Sequence, residues 1–303
     1  MGLTTLISSD GGRSASASPP ASTQVRAAGT RFGRTSRLRV RRHANPRSLR
    51  DSAALLLARV LVLGVGIGLW QAAYSFTWFD RTVTSSPGAV ASYLGSALGT
   101  SSLWGNLWAT LLATLIAFGL AGVAGVAIGL ALALLPWLER VLNPYLDALN
   151  AMPRIALAPI FVVAFGLTMV SKVALAFSIV VFIMITSTRA GVRSVDQDIV
   201  RLATVLGANR RQRFFKVLLP VAVPSIFGGL RLGVIYSLLG VVTSELIASR
   251  NGIGQLLEAS ASLFHTEAVY GLLIVLAVVA TLINLLMARA ERFFLRWQAP
   301  TQV

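Results

Sequence analysis

The sequence predicts an all-α polytopic membrane protein of about six transmembrane helices, with one long basic loop before the fifth. Three observations carry that prediction. Of 303 residues, 55% are hydrophobic and only 13% charged, against about a quarter charged in soluble domains, and the mean hydropathy is +0.73. Several apolar windows reach the roughly 20 residues a helix needs to cross a bilayer. The basic residues gather in alternate connections between those windows, the bias that orients membrane helices. The first observation alone excludes a water-soluble enzyme or binding module, whose surface needs more charge.

The elements follow in order. Residues 1–52 read as a disordered basic tail. The first 50 hold ten arginines and one acid, +9 of the net charge of +16. Ser, Ala, Gly, Thr and Pro dominate there, too polar to offset chain entropy by burial. No apolar run of signal-peptide length precedes the first window. The Arg-rich, Ser-rich composition resembles an organelle transit peptide. The simpler reading is a cytoplasmic extension held near anionic headgroups. Phe32 is its one aromatic, so a nucleic-acid role finds no reader module. Residues 53–296 form the membrane domain, and 297–303 a short C-terminal tail.

The spans are expected at about 53–74, 107–135, 145–167, 172–190, 221–248 and 268–290. The second carries no charge between Asn106 and Pro136. The third is weakened by Pro153 and Pro159 and carries Arg154. With both termini cytoplasmic, the inside loop holds Arg189, Arg193, Arg201, Arg210, Arg211, Arg213 and Lys216, while Arg81, Lys172 and Arg250 fall outside. Gly125 with Gly129, and Gly229 with Gly233, are small-xxx-small pairs suited to close helix packing.

Residues 193–220, RSVDQDIVRLATVLGANRRQRFFKVLLP, are too long for a turn between spans. Apolar residues at helical spacing, Asp196 or Asp198 at the start, a break at Gly207 and a stop at Pro220 predict two short amphipathic helices. Their apolar stripe needs a cover, either the membrane interface or a partner's groove.

The frame Ala203, Gly207, Val217, Leu219, Pro220 resembles the EAA loop of permease subunits in ATP-binding cassette importers. That pattern is Glu-Ala-Ala, three residues, Gly, nine residues, Ile, one residue, Leu-Pro. Val217 replaces Ile, Arg201 stands where the family usually has Glu, and Leu202 where it has Ala. AMPRIALAPIFVVAFG (151–166) and SELIASRNGIGQLL (244–257) are similar to the subfamily importing sulfonates, taurine, nitrate and related small anions, some of whose members carry thiamine-precursor pyrimidines or riboflavin. The resemblance covers roughly 55–303. It implies a pore made by two permease copies in a bacterial inner membrane, an ATPase subunit docked on the loop at 201–220, and an extracytoplasmic solute-binding protein.

The only lysines, Lys172 and Lys216, do not follow glycine, so no G-x-x-x-x-G-K-[ST] phosphate loop exists. If ATP drives transport, as the resemblance implies, another chain binds it, and this chain is expected to hold no cofactor and to be no enzyme. Cysteine is absent and the only histidines are His43 and His265, which leaves little for a metal site or catalytic triad. Inside the spans, Arg231 and Glu245 are the candidate substrate-pathway residues, because intramembrane charges face a cavity or a partner. Arg231 suits an anionic solute or a helix-pairing role, and Glu245 also suits a brace beside the Gly252–Gly254 turn. Arg154 reads as a loop anchor and Asn284 as an interhelical hydrogen-bonding group. A stand-alone secondary transporter is the competing class. It finds no clear repeat and no mid-span acid in the first four windows.

Overall fold

The computed structural model describes residues 47–76, 80 and 83–296. The expected tail up to residue 46, Arg81 and residues 297–303 lie outside them. The chain divides into two units, Met1–Leu55 and Leu56–Val303. Of the first, only the opening turns of a helix are described.

Every regular element among the described residues is helical. Helix α1 spans Arg47–Ser75. Helix α2, Pro87–Ala97, starts at Ser86, whose hydroxyl accepts from Ala89 N at 3.1 Å, with proline at its first position. Helix α3, Ser101–Leu134, is capped by Thr100. Helix α4 is Pro136–Ala151. After a 3₁₀ turn at Arg154–Leu157, α5 is Ala158–Phe165. Helix α6, Met169–Arg193, is capped by Thr168. Helix α7, Gln197–Val205, is capped by Asp196. The single turn α8, Arg210–Arg213, widens into a π turn, Phe214–Leu218, and continues as α9, Leu219–Ile247. Helices α10, Ile253–Ser262, and α11, Thr266–Phe294, complete the chain.

Five helices are long and apolar enough to cross a membrane, and a sixth crossing is made if α4 and α5 are taken together. The contacts decide how that pair runs. Gly125 of α3 meets Met184 and Val181, and Gly129 meets Thr188 and Ile185, so α3 and α6 run parallel. Helix α9 is antiparallel to both: Gly229 lies on Ser187, Gly240 on Ala176, and Ser237 bonds Thr114. The end of α3 lies level with the end of α6, since Leu132 and Val192 share a core cluster. The connection 135–168 must therefore climb the length of α6, roughly 35 Å at 1.5 Å per residue. It does so through a break, with α4 and the 154–165 segment bent by 84°.

This corrects the third span. A single helix over 145–167 was expected, but Pro153 disfavours helical backbone at Met152, which is extended at φ −71°, ψ 132°. Arg154 sits in the corner. It donates to Asn150 Oδ1 at 2.8 Å and lies 4.0 Å over the Phe182 ring of α6, anchoring the break to the bundle.

The core is built by α3, α6 and α9. Ala121, Leu132, Val180, Met184, Ala222 and Ile226 fill its centre. A Cβ on Gly125 would stand 2.3 Å from Met184 Cβ, and one on Gly229 2.5 Å from Ser187 Cβ. Glycine at these positions is what lets the backbones approach, the attractive term that remains when lipid is as apolar as leucine. At the other end, the start of α3 packs with α2, α10 and α11 through Ala97, Leu103, Leu107, Ile253 and Leu272. From Leu56 to Leu69, α1 leaves its side chains exposed.

Candidate functional site

Two places gather functional side chains, one at each end of the α3–α6–α9 core. The first is the 193–220 segment. Asp196 accepts from Asp198 N at 2.8 Å and starts α7. Ile199, Leu202, Val205 and Leu206 lie along one exposed stripe of it, with Val205 84% exposed. Arg201 pairs with Asp198 on the surface at 3.2 Å. Gly207 ends the helix at φ +80°, a left-handed conformation that glycine adopts without steric cost. Ala208 N returns to Ala203 O at 3.0 Å. Asn209 and Gln212 then form a reciprocal capping box that starts α8. Arg213 reaches back to Thr204 Oγ1 at 2.8 Å and ties the two helices together.

Val217 lies in the π turn, and Leu219 and Pro220 open α9, all half-buried. Pro220 has no N–H to continue the α-helical ladder, and the turn before it takes π spacing. Local stop-and-start signals thus build an elbow that presents an apolar stripe.

Just before this elbow, Arg189 and Arg193 both donate to Glu139 Oε1, and Arg189 also to Asn143 Oδ1 at 2.9 Å. The cluster ties the last turns of α6 to α4. Sequence reading counted these arginines only as loop charge. Their four-residue spacing, which puts both on one helix face, was the available signal.

At the opposite end, Glu245 is 1% exposed and Lys172 2%. Lys172 Nζ donates to Glu245 Oε1 at 3.1 Å, to Asn251 O at 2.6 Å and to Asn251 Oδ1 at 2.8 Å. Thr110 Oγ1 donates to the same carboxylate at 2.9 Å, and Gly254 N donates to Oε2 at 3.0 Å. Asn106 Oδ1 accepts from Gly252 N at 2.6 Å, and Thr110 Oγ1 accepts from Ile253 N at 2.9 Å. Helices α3, α6 and α9, the loop at 249–252 and the start of α10 are joined through one buried carboxylate. Gly252, at φ +117°, leaves room for it: a Cβ there would lie 2.0 Å from Glu245 Oε1. The multiple hydrogen bonds compensate the desolvation of two ions, which is otherwise several kcal/mol each.

The placement of Lys172 is a correction. It was expected in an outer connection, but α6 begins at Met169, three residues earlier, and turns the lysine inward. Glu245 spends its carboxylate on the chain's own donors. Arg231 is elsewhere: Nε donates to Asn284 Oδ1 at 3.1 Å, and Nη1 stands 3.9 Å from Glu291 Oε2, with 47% of the side chain exposed. It joins α9 to α11 and still shows part of its surface. Fourteen residues separate it from Glu245, about 21 Å along α9, so the two do not form one site. Among the described residues no group of three or more His, Asp or Glu side chains is placed to hold a metal ion.

The riboflavin transport system permease protein RibX of Chloroflexus aurantiacus is 34% identical over 230 residues, covering 76% of this chain and 86% of the relative. The taurine transport system permease protein TauC of Escherichia coli is 32% identical over 178 residues, 59% of this chain and 65% of the relative. Among solved structures, an inward-facing MetNI methionine ABC transporter superposes with a TM-score of 0.56 at 18% identity. It covers 63% of this chain and 95% of that chain, and shows the fold alone. Residues 125–298 match the family of binding-protein-dependent transport system inner membrane components, and the chain belongs to that family.

Proposed function

We propose that this chain is the translocation subunit of an ATP-driven importer for a small organic or inorganic anion such as a sulfonate, taurine or nitrate, working as a pair of identical copies. The observation that carries the importer reading is the elbow at 196–220. Its exposed stripe of Ile199, Leu202, Val205 and Leu206 is a helix face that no described residue covers, the form that fits a partner's groove. An ATPase subunit is the partner proposed for it, with Arg201, Leu202, Ala203, Gly207, Val217, Leu219 and Pro220 as the docking frame. The loop and both termini then face the cytoplasm, in keeping with its positive charge. A solute-binding protein delivers substrate at the other end. Closure of the ATPase pair moves α7 and rocks the bundle between two states. Arg231, with part of its side chain exposed beside α11, is the proposed contact for an anion.

A second substrate reading rests on the relative with 34% identity, a riboflavin permease protein. On that reading the solute is a flat heterocycle. The experiment is reconstitution of the chain with its ATPase and binding protein in vesicles. ATP-dependent uptake that Gly207→Asp abolishes while both copies remain folded supports the docking frame. Uptake by this chain alone under an ion gradient would falsify the importer reading. Competition of taurine against riboflavin for the binding protein separates the two substrates.

A further inference from the structure

A cavity of about 510 Å³ opens between the end of α3, α7 and the α8–π elbow. Its walls divide by chemistry. Leu134, Leu135, Val200, Phe214 and Leu218 form an apolar back, and Arg210 and Arg213 stand at the front. Arg213 is already turned toward Thr204, and Arg210 is exposed with no ion-pair or hydrogen-bond partner among the described residues. No acidic side chain lines the cavity.

Its depth is set by α3, whose apolar run ends at Leu134–Leu135, where the chain turns through Pro136 into Trp137. Arg189 and Arg193 lie level with that turn through Glu139. An apolar wall meeting a basic rim at the edge of the hydrocarbon is the surface an anionic amphiphile matches. Its phosphate meets the guanidinium fork, and its chain lies along the leucines.

The cavity also lies on the opposite face of α7 from the exposed stripe. Val200 of α7 lines it, while Ile199, Leu202, Val205 and Leu206 are exposed and do not line it. A partner covering the stripe leaves the cavity open to the membrane. Filling it would pin α7 against α3, to which Arg213–Thr204 connects it only through α8.

We infer that this cavity is a binding site for one anionic phospholipid of the adjoining leaflet, its headgroup phosphate held by Arg210 and Arg213 and its first acyl segment by Leu134, Leu135 and Leu218. The test uses the full chain purified in a mild detergent. Native mass spectrometry counts retained phosphatidylglycerol and phosphatidylcholine of identical acyl chains. The wild type keeps one phosphatidylglycerol in preference to phosphatidylcholine. Arg210→Gln lowers that retention about fivefold, and the double change with Arg213→Gln roughly twenty-five-fold, as each basic residue near a headgroup contributes. Arg210→Gln melts as the wild type does, because the side chain touches nothing it supports. Leu135→Asn weakens lipid retention with both arginines intact. Three results overturn the assignment: equal retention of both lipids, the same loss from Arg289→Gln with Arg292→Gln at the end of α11, or displacement of the lipid by millimolar inorganic phosphate, which would make it a site for the free ion.

Discussion

Replacing Lys172 by Met leaves the Glu245 carboxylate buried with its cation gone. The methionine fills the stem's volume, so the loss is electrostatic rather than a cavity. Glu245 keeps Thr110 and Gly254 N as donors, but Asn251 loses both of its contacts to Nζ. Breaking a buried pair on one side typically costs about 3–5 kcal/mol, which lowers the folded-to-unfolded ratio by a factor of roughly 10²–10³ or more. Thermal unfolding in lipid nanodiscs, followed by helix content, is the assay. Lys172→Met should lower the midpoint by several degrees or more. The double change Lys172→Met with Glu245→Gln should recover a large part of the loss, because no charge is then left unpaired. A single change worth under about 1 kcal/mol would refute the clamp. So would a double change whose loss equals the sum of the two single ones.

Three further outcomes are expected. Gly252→Ala places a methyl against the Glu245 carboxylate on a left-handed backbone, and should destabilise by about 2–4 kcal/mol in the same melt. Gly125→Val should lower stability by at least about 1–3 kcal/mol through overpacking against Met184, while Gly119→Val, where a Cβ meets nothing within 4 Å, should stay within about 0.5 kcal/mol; equal shifts would contradict the α3–α6 contact. Arg201→Glu restores the acid usual in the loop motif and sets it beside Asp198, so stability should change by no more than about 0.5 kcal/mol, and an altered yield of co-purified ATPase would then report docking rather than folding.

The spans with unbroken apolar runs were legible because lipid exposure imposes one rule on every turn. Helix α3 matches its window to one residue at the C-terminal end and begins six residues earlier at the N-terminal end. The break at Gly207 and the Asp196 cap were legible for a local reason, a glycine and an acid in short range, but the second short helix expected to stop at Pro220 is instead one turn that runs through the π turn into α9. The Lys172–Glu245 pair was not. Its partners stand 73 residues apart, and each taken alone had an ordinary explanation, a loop lysine and an end-of-helix acid. Glu139 with Arg193, 54 residues apart, was hidden in the same way. The break at Met152–Pro153 was signalled by proline. Its angle was not, because the packing of Arg154 on Phe182 sets where the two pieces go. Helix α10 falls between the fifth and sixth expected spans, where no element was read, since ten residues with Ser and Gly at their edges carry little periodicity.

Helix α6 is tied by charge at both ends, to the 249–252 loop through Lys172 and to α4 through Arg189 and Arg193. Between those ties, α3 and α9 grip it through glycine contacts that leave no gap. A rod fixed in this manner has no slack. A displacement at its Arg193 end is delivered to the Asn251 end, roughly 30 Å away, as motion of the whole rod rather than as bending. Timing at one surface of the membrane is then set by the stiffness of a single helix, and a change that softens its middle should desynchronise the two surfaces without altering either of them.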